Sequence, residues 1–341
     1  MKQKPLLIVV TPIRNEAWIL DAFLTCTSSW ADYIILADQH STDGTREIAQ
    51  RYPKVILIDN PTYEWYEMEC RRLLLQQANA IPGDKIIFGL DADEFLSEGF
   101  EKTKGWQTIL TAPTNAIFAF HWLNLYDDGR TIEYSPFIAE WACHFAPDVD
   151  IVEEYRKREH HAVHCQRVPC LEDNRATYYE IKDIQFVHLA KLNKQRCRNK
   201  TDFYAVTWVD KNPIQTTVIN LYRAGKYYPQ HLQHIPHAPR LAPIDSDFDC
   251  MSLIKPAGIG SHYIDEMVQV FQREGTQKFR DLNIWDNPDL IARGVAVPKR
   301  PIYIRILHAY LSATQDISHY SIIKFIDKAL RYLTKKLCRT K

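Results

Sequence analysis

A chain of 341 residues, 46% hydrophobic and 25% charged, has the make-up of an ordinary globular protein. It is long enough for one large domain with an appendage, or for two domains. Its 42 basic and 42 acidic side chains cancel, which excludes the general positive field that recruits nucleic acid.

In chain order, short apolar runs rich in Ile, Val and Leu predict strands at 6–10, 33–37, 55–58 and 86–90. None of them alternates, so they read as strands covered on both faces. Helical periodicity lies between them, at 16–28, 45–52 and 64–80. Strand and helix in alternation imply right-handed crossovers and an α/β, doubly wound, mostly parallel sheet with helices on both faces. Beyond residue 100 the pattern loosens. Strands are expected at 116–126 and 181–189, which would make the sheet mixed, while 136–180 reads as long loops. A helix is expected at 193–209, a proline-rich extended connection at 229–256, and helices at 261–274 and 322–337. The expected division is therefore 1–210 and a mainly helical 211–341.

A parallel sheet places all its strand C-termini on one edge, where open α/β sheets bind ligands. Four polar segments should meet there: "TPIRNE" (11–16), "DQHSTDGT" (38–45), "DNP" (59–61) and "DADEF" (91–95). In the last, extended backbone would set Asp91 and Asp93 on the same side, because side chains alternate with period two. Two hard oxygen ligands at a strand end suit Mg²⁺ or Mn²⁺ together with substrate phosphates. A solvated acidic turn is the plain alternative. Asn15 would serve as a helix cap and Ser41, Thr42 or Asp43 as another, but capping does not account for Asp38 at the strand end.

"VTPIRNE", "ADQHSTDGT" and "LDADEFL", in this order, resemble the nucleotide-sugar-binding half of family 2 glycosyltransferases, which have the GT-A fold. The resemblance covers residues 5–100 well and the region to about 204 loosely. It implies a glycosyltransferase of hexosyltransferase type that moves a sugar from a nucleotide-diphosphate sugar to a hydroxyl of a glycan, polysaccharide or lipid-linked acceptor, with inversion and a divalent cation. It implies that Thr11, Pro12, Asn15 and Glu16 line the nucleoside pocket and that Asp38 reads the base. Asp91 and Asp93 would hold the cation, Asp93 more directly, with His188 as a third ligand. Arg71 or its neighbour Arg72 would face the donor, and Arg196 and Lys200, one helical turn apart, would grip the diphosphate. Gln39 departs from the common D-D-x-S-x-D-G-T form and leaves UDP and GDP both open. The general base is expected at Asp173 or Glu172, with Glu140, Glu153 and Glu154 as competitors. Two rivals stand beside this reading. A nucleotidyltransferase would carry a Gly-rich basic loop after the first strand, which "TPIRNEAW" lacks. A non-catalytic sugar-nucleotide or polysaccharide binder would have little use for the acidic cluster.

Other features add expectations. Eight cysteines without a C-x-x-C pair read as reduced thiols in a cytoplasmic protein. His160, His164, Cys165 and Cys170 are permissible zinc ligands in an unfamiliar spacing. From Lys299 onward there are ten Lys or Arg and two acids. There, a stripe of Ile322, Ile326, Leu330, Leu333 and Leu337, ringed by Lys324, Lys328, Arg331 and Lys335, makes a basic amphipathic helix. It would either dock on its own domain or lie on an anionic membrane, where a lipid-linked acceptor would be found.

Overall fold

The computed structural model describes residues 4–62, 67–156, 166–169, 176–207, 219, 223, 232–255 and 260–338. The chain divides into two compact units, Met1–Leu192 with Gln233–Ile259, and Asn193–Leu232 with Gly260–Lys341.

The first unit is built on β1 (Leu6–Ile13), β2 (Tyr33–Asp38), β3 (Val55–Asp59) and β4 (Lys85–Gly89), all mutually parallel. They alternate with α1 (Leu20–Ser28), α2 (Thr45–Ala49) and α3 (Glu67–Ala80). Further strands are β5 (Glu94–Leu96), β6 (Ala116–Leu125), β7 (Thr131–Phe145) and β8 (Thr177–His188), with α4 (Lys104–Thr111) and α5 (Ile151–Arg156). The sheet runs β3-β2-β1-β4-β7-β6-β8-β5, with β7 antiparallel to β4 and β6, and β5 antiparallel to β8. It is a mixed, mostly parallel α/β sheet.

The missing alternation in the strands has a physical cause. Leu7, Val9, Ile34, Leu36, Ile86 and Phe88 belong to one core with Phe23 and Trp106. Ile8, Val10, Ile35, Ala37 and Ile87 belong to the core on the other face, with Cys70, Leu74 and Tyr155. Both faces are covered, so every position is apolar.

Three expectations change. The stretch expected to be loops contains the last ten residues of the strand β7 (Thr131–Phe145); the end of that strand, Trp141–Phe145, is buried throughout and therefore carries no period-two signal. The first helix begins at Leu20 rather than 16, because the amides of Ile19 and Leu20 bond the Glu16 carbonyl in a preceding turn. The compact units part at Leu192 instead of 210, so that the helix α6 (Lys194–Thr207) belongs to the second unit. Residues 233–259 return to the first, tied by Ile235 N–H to Arg130 O (2.9 Å) and Lys255 N–H to Trp18 O (2.8 Å).

The second unit adds α7 (Ser261–Glu274), α8 (Pro288–Ala292), α9 (Ile302–Ala313) and α10 (Ser321–Cys338). Phe203, Val206, Ile264, Met267, Phe271 and Trp285 form its main core. Among the described residues, no helix is long and apolar enough to cross a membrane.

Candidate functional site

Strand register brings the polar segments together. Ile13 stands beside Asp38 and Asp38 beside Asp59, while the Leu90 amide bonds the Val10 carbonyl (3.2 Å) just after β4. Ile13, Asp38 and Asp59 are C-terminal strand ends and Leu90 follows the end of β4, all on one edge of the parallel sheet.

Two loops of this edge are laced to each other. The Asn15 amide donates to Ser41 Oγ (2.8 Å), and Asn15 Oδ1 accepts from the Thr42 amide (2.8 Å). The Glu16 amide donates to Thr45 Oγ1 (2.8 Å) and the Ala17 amide to Asp43 Oδ2 (3.1 Å). Asn15 and His40 both have left-handed backbone, with φ of 52° and 54°. Such conformations cost about 1–3 kcal/mol each, and these cross-loop bonds offset that cost. Asn15 thus joins loops instead of capping its own helix. The N-cap of α2 is Gly44, which has no side-chain cap bond, and Asp43 just before it accepts from the Thr45 amide at 3.1 Å.

Asp38 is buried. Its Oδ2 accepts from Arg46 Nη1 at 2.8 Å and from the Ser41 amide at 3.3 Å. Arg46 also reaches Asp59 Oδ1 at 2.7 Å. Asp38 Oδ1 and Thr11 Oγ1 are buried polar atoms with no hydrogen-bond partner among the described residues. Buried acceptors are ordinarily satisfied, so these two atoms have the character of a prepared contact. Gln39 is turned elsewhere, its Nε2 donating to Thr62 O at 2.9 Å.

The acidic segment departs from the extended geometry expected of it. The Glu94 amide bonds the Asp91 carbonyl (3.1 Å), closing a turn, and the two aspartates go to different neighbours. Asp91 Oδ1 accepts from Arg71 Nη2 and its Oδ2 from Arg167 Nη2, both at 2.9 Å. Arg71 is buried on α3, whereas Arg72 pairs with Glu69 on the helix surface (2.7 Å). The structure therefore separates the two arginines. Glu94 Oε2 accepts from the Asp91 amide at 2.9 Å and from Arg167 Nη1. Burial pushes the Glu94 carboxyl up to about 7, against the pull of Arg167.

Asp93 is buried, and its Oδ1 lies 3.6 Å from His188 Nε2. His188 faces Glu94 across the β5–β8 pair. Its Nδ1 donates to Asn124 Oδ1 (2.8 Å), an assignment that leaves Nε2 as the ring's lone-pair nitrogen when neutral. Asn124 Nδ2 donates to Glu133 Oε2 (3.2 Å), which also accepts from Tyr126 OH (3.2 Å) and Lys191 Nζ. A ligating imidazole oriented through its second nitrogen is the usual arrangement at metal sites. Asp93 and His188 thus fit a divalent cation. Asp91 has both oxygens on arginines, and no group of three or more His, Cys, Asp or Glu able to hold a metal ion occurs among the described residues.

The remaining expected residues are placed as follows. Thr11 and Pro12 lie buried in β1, and Glu16 Oε2 accepts from Trp18 Nε1 (2.6 Å). Arg196 and Lys200 stand on α6 of the second unit, Arg196 buried and Lys200 over the Tyr204 ring at 5.9 Å. Glu140 is on β7, and Glu153 and Glu154 are on α5. Glu172 and Asp173, like His160, His164, Cys165 and Cys170, lie outside the described residues.

Arg167 escaped sequence reasoning. It stands between His164, Cys165 and Cys170 in the sequence, and nothing in its neighbourhood there singles it out. Its guanidinium also lies over Trp141, 5.3 Å from the ring centroid. A Cβ at Gly89 would come within 2.7 Å of Arg167 Cβ and 2.8 Å of its carbonyl oxygen. That closeness requires glycine at the end of β4.

Residues 8–121 match the family described as Glycosyl transferase family 2. No curated protein matches the chain. Weak likenesses to solved structures include HddC from Yersinia pseudotuberculosis, at 9% identity and a TM-score of 0.31, covering 55% of this chain and 93% of that one. The inositol-1-phosphate CTP transferase from T. maritima gives 7% and 0.32, covering 57% and 94%. Mannose-1-phosphate geranyltransferase from Thermus thermophilus gives 12% and 0.33, covering 58% and 79%.

Proposed function

With residues 8–121 forming a family 2 glycosyltransferase-like domain, we propose that this protein moves a hexosyl group from a nucleotide-diphosphate sugar to a hydroxyl of a glycan, polysaccharide or lipid-linked acceptor, with inversion. The observation that carries the proposal is the convergence of Asp38, Asp91 and Asp93 on one sheet edge, with buried Asp38 Oδ1 and Thr11 Oγ1 lacking partners among the described residues.

In this reading Thr11, Pro12, Asn15 and Glu16 line the nucleoside pocket. Asp38, fixed by Arg46, accepts a hydrogen bond from the base through Oδ1. Asp93 and His188 would hold Mn²⁺ or Mg²⁺, which neutralises charge on the departing diphosphate. Asn124 keeps His188 in the tautomer that presents Nε2. Arg71 and Arg167 add fixed positive charge beside Asp91, where a leaving group gathers negative charge. Asp173 or Glu172 takes the proton from the acceptor hydroxyl. A lipid-linked acceptor would place this reaction at the cytoplasmic face of a membrane. The loop after β1 contains no glycine, which weighs against nucleotidyl transfer.

The test is thermal-shift screening of the full chain against UDP-, GDP- and CMP-sugars, with and without Mn²⁺, alongside Asp93→Ala, with donor hydrolysis measured in the same samples. At a hundredfold excess over Kd, the matching donor should add about 2.7 kcal/mol, a rise of roughly 5 °C or more. That rise should need metal and be lost in Asp93→Ala. Stabilisation indifferent to both would sink the metal assignment, and binding without hydrolysis or transfer would leave a binder in place of an enzyme.

A further inference from the structure

The basic C-terminal stretch takes no part in the proposed chemistry, and its structure differs from the amphipathic pattern read in the sequence. On α10 the inward positions are Ile323 and Asp327, both buried, with Leu330 packed beside Leu307 and Leu311 of α9. Ile322, part of the apolar stripe read in the sequence, is 65% exposed, and Phe325 and Tyr332 are each 69% exposed. Ile322, Phe325, Ala329 and Tyr332 follow i, i+3, i+7, i+10 spacing and so share one outward stripe. The cations Lys324, Lys328 and Arg331 flank that stripe on the helix. Helix α9 repeats the device: Ile302 (73% exposed), Ile306 (63%) and Ala309 follow i, i+4, i+7 spacing, with Tyr303 beside them.

Charge on this surface is mostly positive. Of the two acids after residue 298, Asp327 is turned inward, where it pairs with Arg223 at 2.7 Å and accepts from Tyr310 OH at 3.0 Å. Asp316 alone is exposed. A cleft of about 590 Å³ at the start of α9 collects Lys299, Arg300 and Arg305 around Asn283 and Trp285. Its one acid, Asp286, is already paired with Arg198 at 2.6 Å. Trp285 Nε1 and Arg300 Nε are buried donors with no hydrogen-bond partner among the described residues.

Exposed large aliphatic and aromatic side chains in register with cations exceed what a solvated helix needs. Apolar groups that enter an acyl boundary, with Lys and Arg reaching past them to phosphates, match a bilayer surface bearing negative charge. We propose that the outward faces of α9 and α10 dock on an anionic phospholipid bilayer, with the Lys299–Arg300–Arg305 cleft receiving lipid phosphate. The surface is independent of donor chemistry, so it stands or falls apart from the proposed transfer.

The experiment is vesicle flotation of the full chain with phosphatidylcholine alone and with a phosphatidylcholine–phosphatidylglycerol mixture, at low and high salt. The protein should float with the anionic vesicles on the order of tenfold better than with neutral ones, and salt should release it by screening. Ile306→Glu with Phe325→Glu should abolish flotation, and Lys299→Ala with Arg305→Ala should remove the preference for phosphatidylglycerol. All four positions are exposed or line the cleft, and circular-dichroism melts of both double variants should match the parent. Equal partition onto both vesicles, no flotation, or flotation unchanged in either variant would overturn the proposal. So would self-association in sedimentation velocity that Ile306→Glu removes, since the face would then belong to a second copy.

Discussion

At the scale of single residues, the site depends on how burial and charge are balanced around Glu94. Its carboxyl is buried beside Arg167, Asp91 and Asp93. Desolvation raises its pKa to about 7, while Arg167 lowers it and Asp91 raises it again. A folded-state pKa above the unfolded value means that the native state binds the extra proton. Stability from this group is therefore complete below the ordinary glutamate range, near 4.5, and is lost as pH rises towards 7. Glu94→Gln cannot titrate. Relative to the parent, the variant should become steadily more favourable between those limits, by at most about 1.4 kcal/mol per pH unit. Urea melts of both proteins across the interval check this, and a difference that stays flat would show that Arg167 governs Glu94 more strongly than burial does. Asp38 is legible in the sequence as the residue that ends a strand without a capping task. The role of Arg46 in holding it is not, because the pair forms through the β2–α2 crossover. Arg167 was hidden for a stronger reason: it lies 76 residues from Asp91 in the chain, and nothing local marks that approach.

At the scale of elements, α3 decides which of two adjacent arginines reaches Asp91. The helix turns Arg71 inward towards the end of β4 and Arg72 outward to Glu69. Arg71→Ala should destabilise the first unit by about 1–3 kcal/mol, since it uncovers one oxygen of Asp91 while Arg167 keeps the other. It should also weaken donor binding. Arg72→Ala should stay within about 0.5 kcal/mol, as surface pairs do. Equal effects of the two substitutions on melting and donor titration would contradict the orientation of α3. The strands of the parallel half were readable because burial on both faces leaves continuous apolar runs. Strand β7 was not, since one end is buried throughout and the other is partly exposed, so no single periodicity describes it. The Asp91–Asp93 pair shows the same limit. Extended backbone would align the two carboxylates, but the 91–94 turn sends one to arginines and the other to His188.

At the scale of the whole molecule, two compact units, each with core residues of its own, imply two cooperative units. The second is pinned by Asn287, fully buried, whose Nδ2 donates to Asp202 Oδ2 (2.7 Å) and Asn199 Oδ1 (3.0 Å) while its Oδ1 caps α8 at the Asp289 amide (2.9 Å). Burial raises the Asp202 carboxyl to about 6, and the bond from Asn287 opposes that rise. Asn287→Ala leaves buried polar groups unmet and removes a cap, a loss of about 2–4 kcal/mol. In differential scanning calorimetry it should lower the transition of the second unit alone. A uniform shift of a single transition would mean that the units melt together. By itself the sequence determined the α/β class with its parallel strands and the edge on which the polar segments gather. Those follow from local periodicity and from strand direction, which are properties of neighbouring residues. Tertiary structure alone decided that Asp91 belongs to Arg71 and Arg167, that Asn124 orients His188, that Arg196 and Lys200 belong to the second unit, and that α10 turns Ile322 and Phe325 outward. Each of these depends on which distant surfaces pack together, and local spacing along the chain tells that a face is buried but not which remote segment covers it.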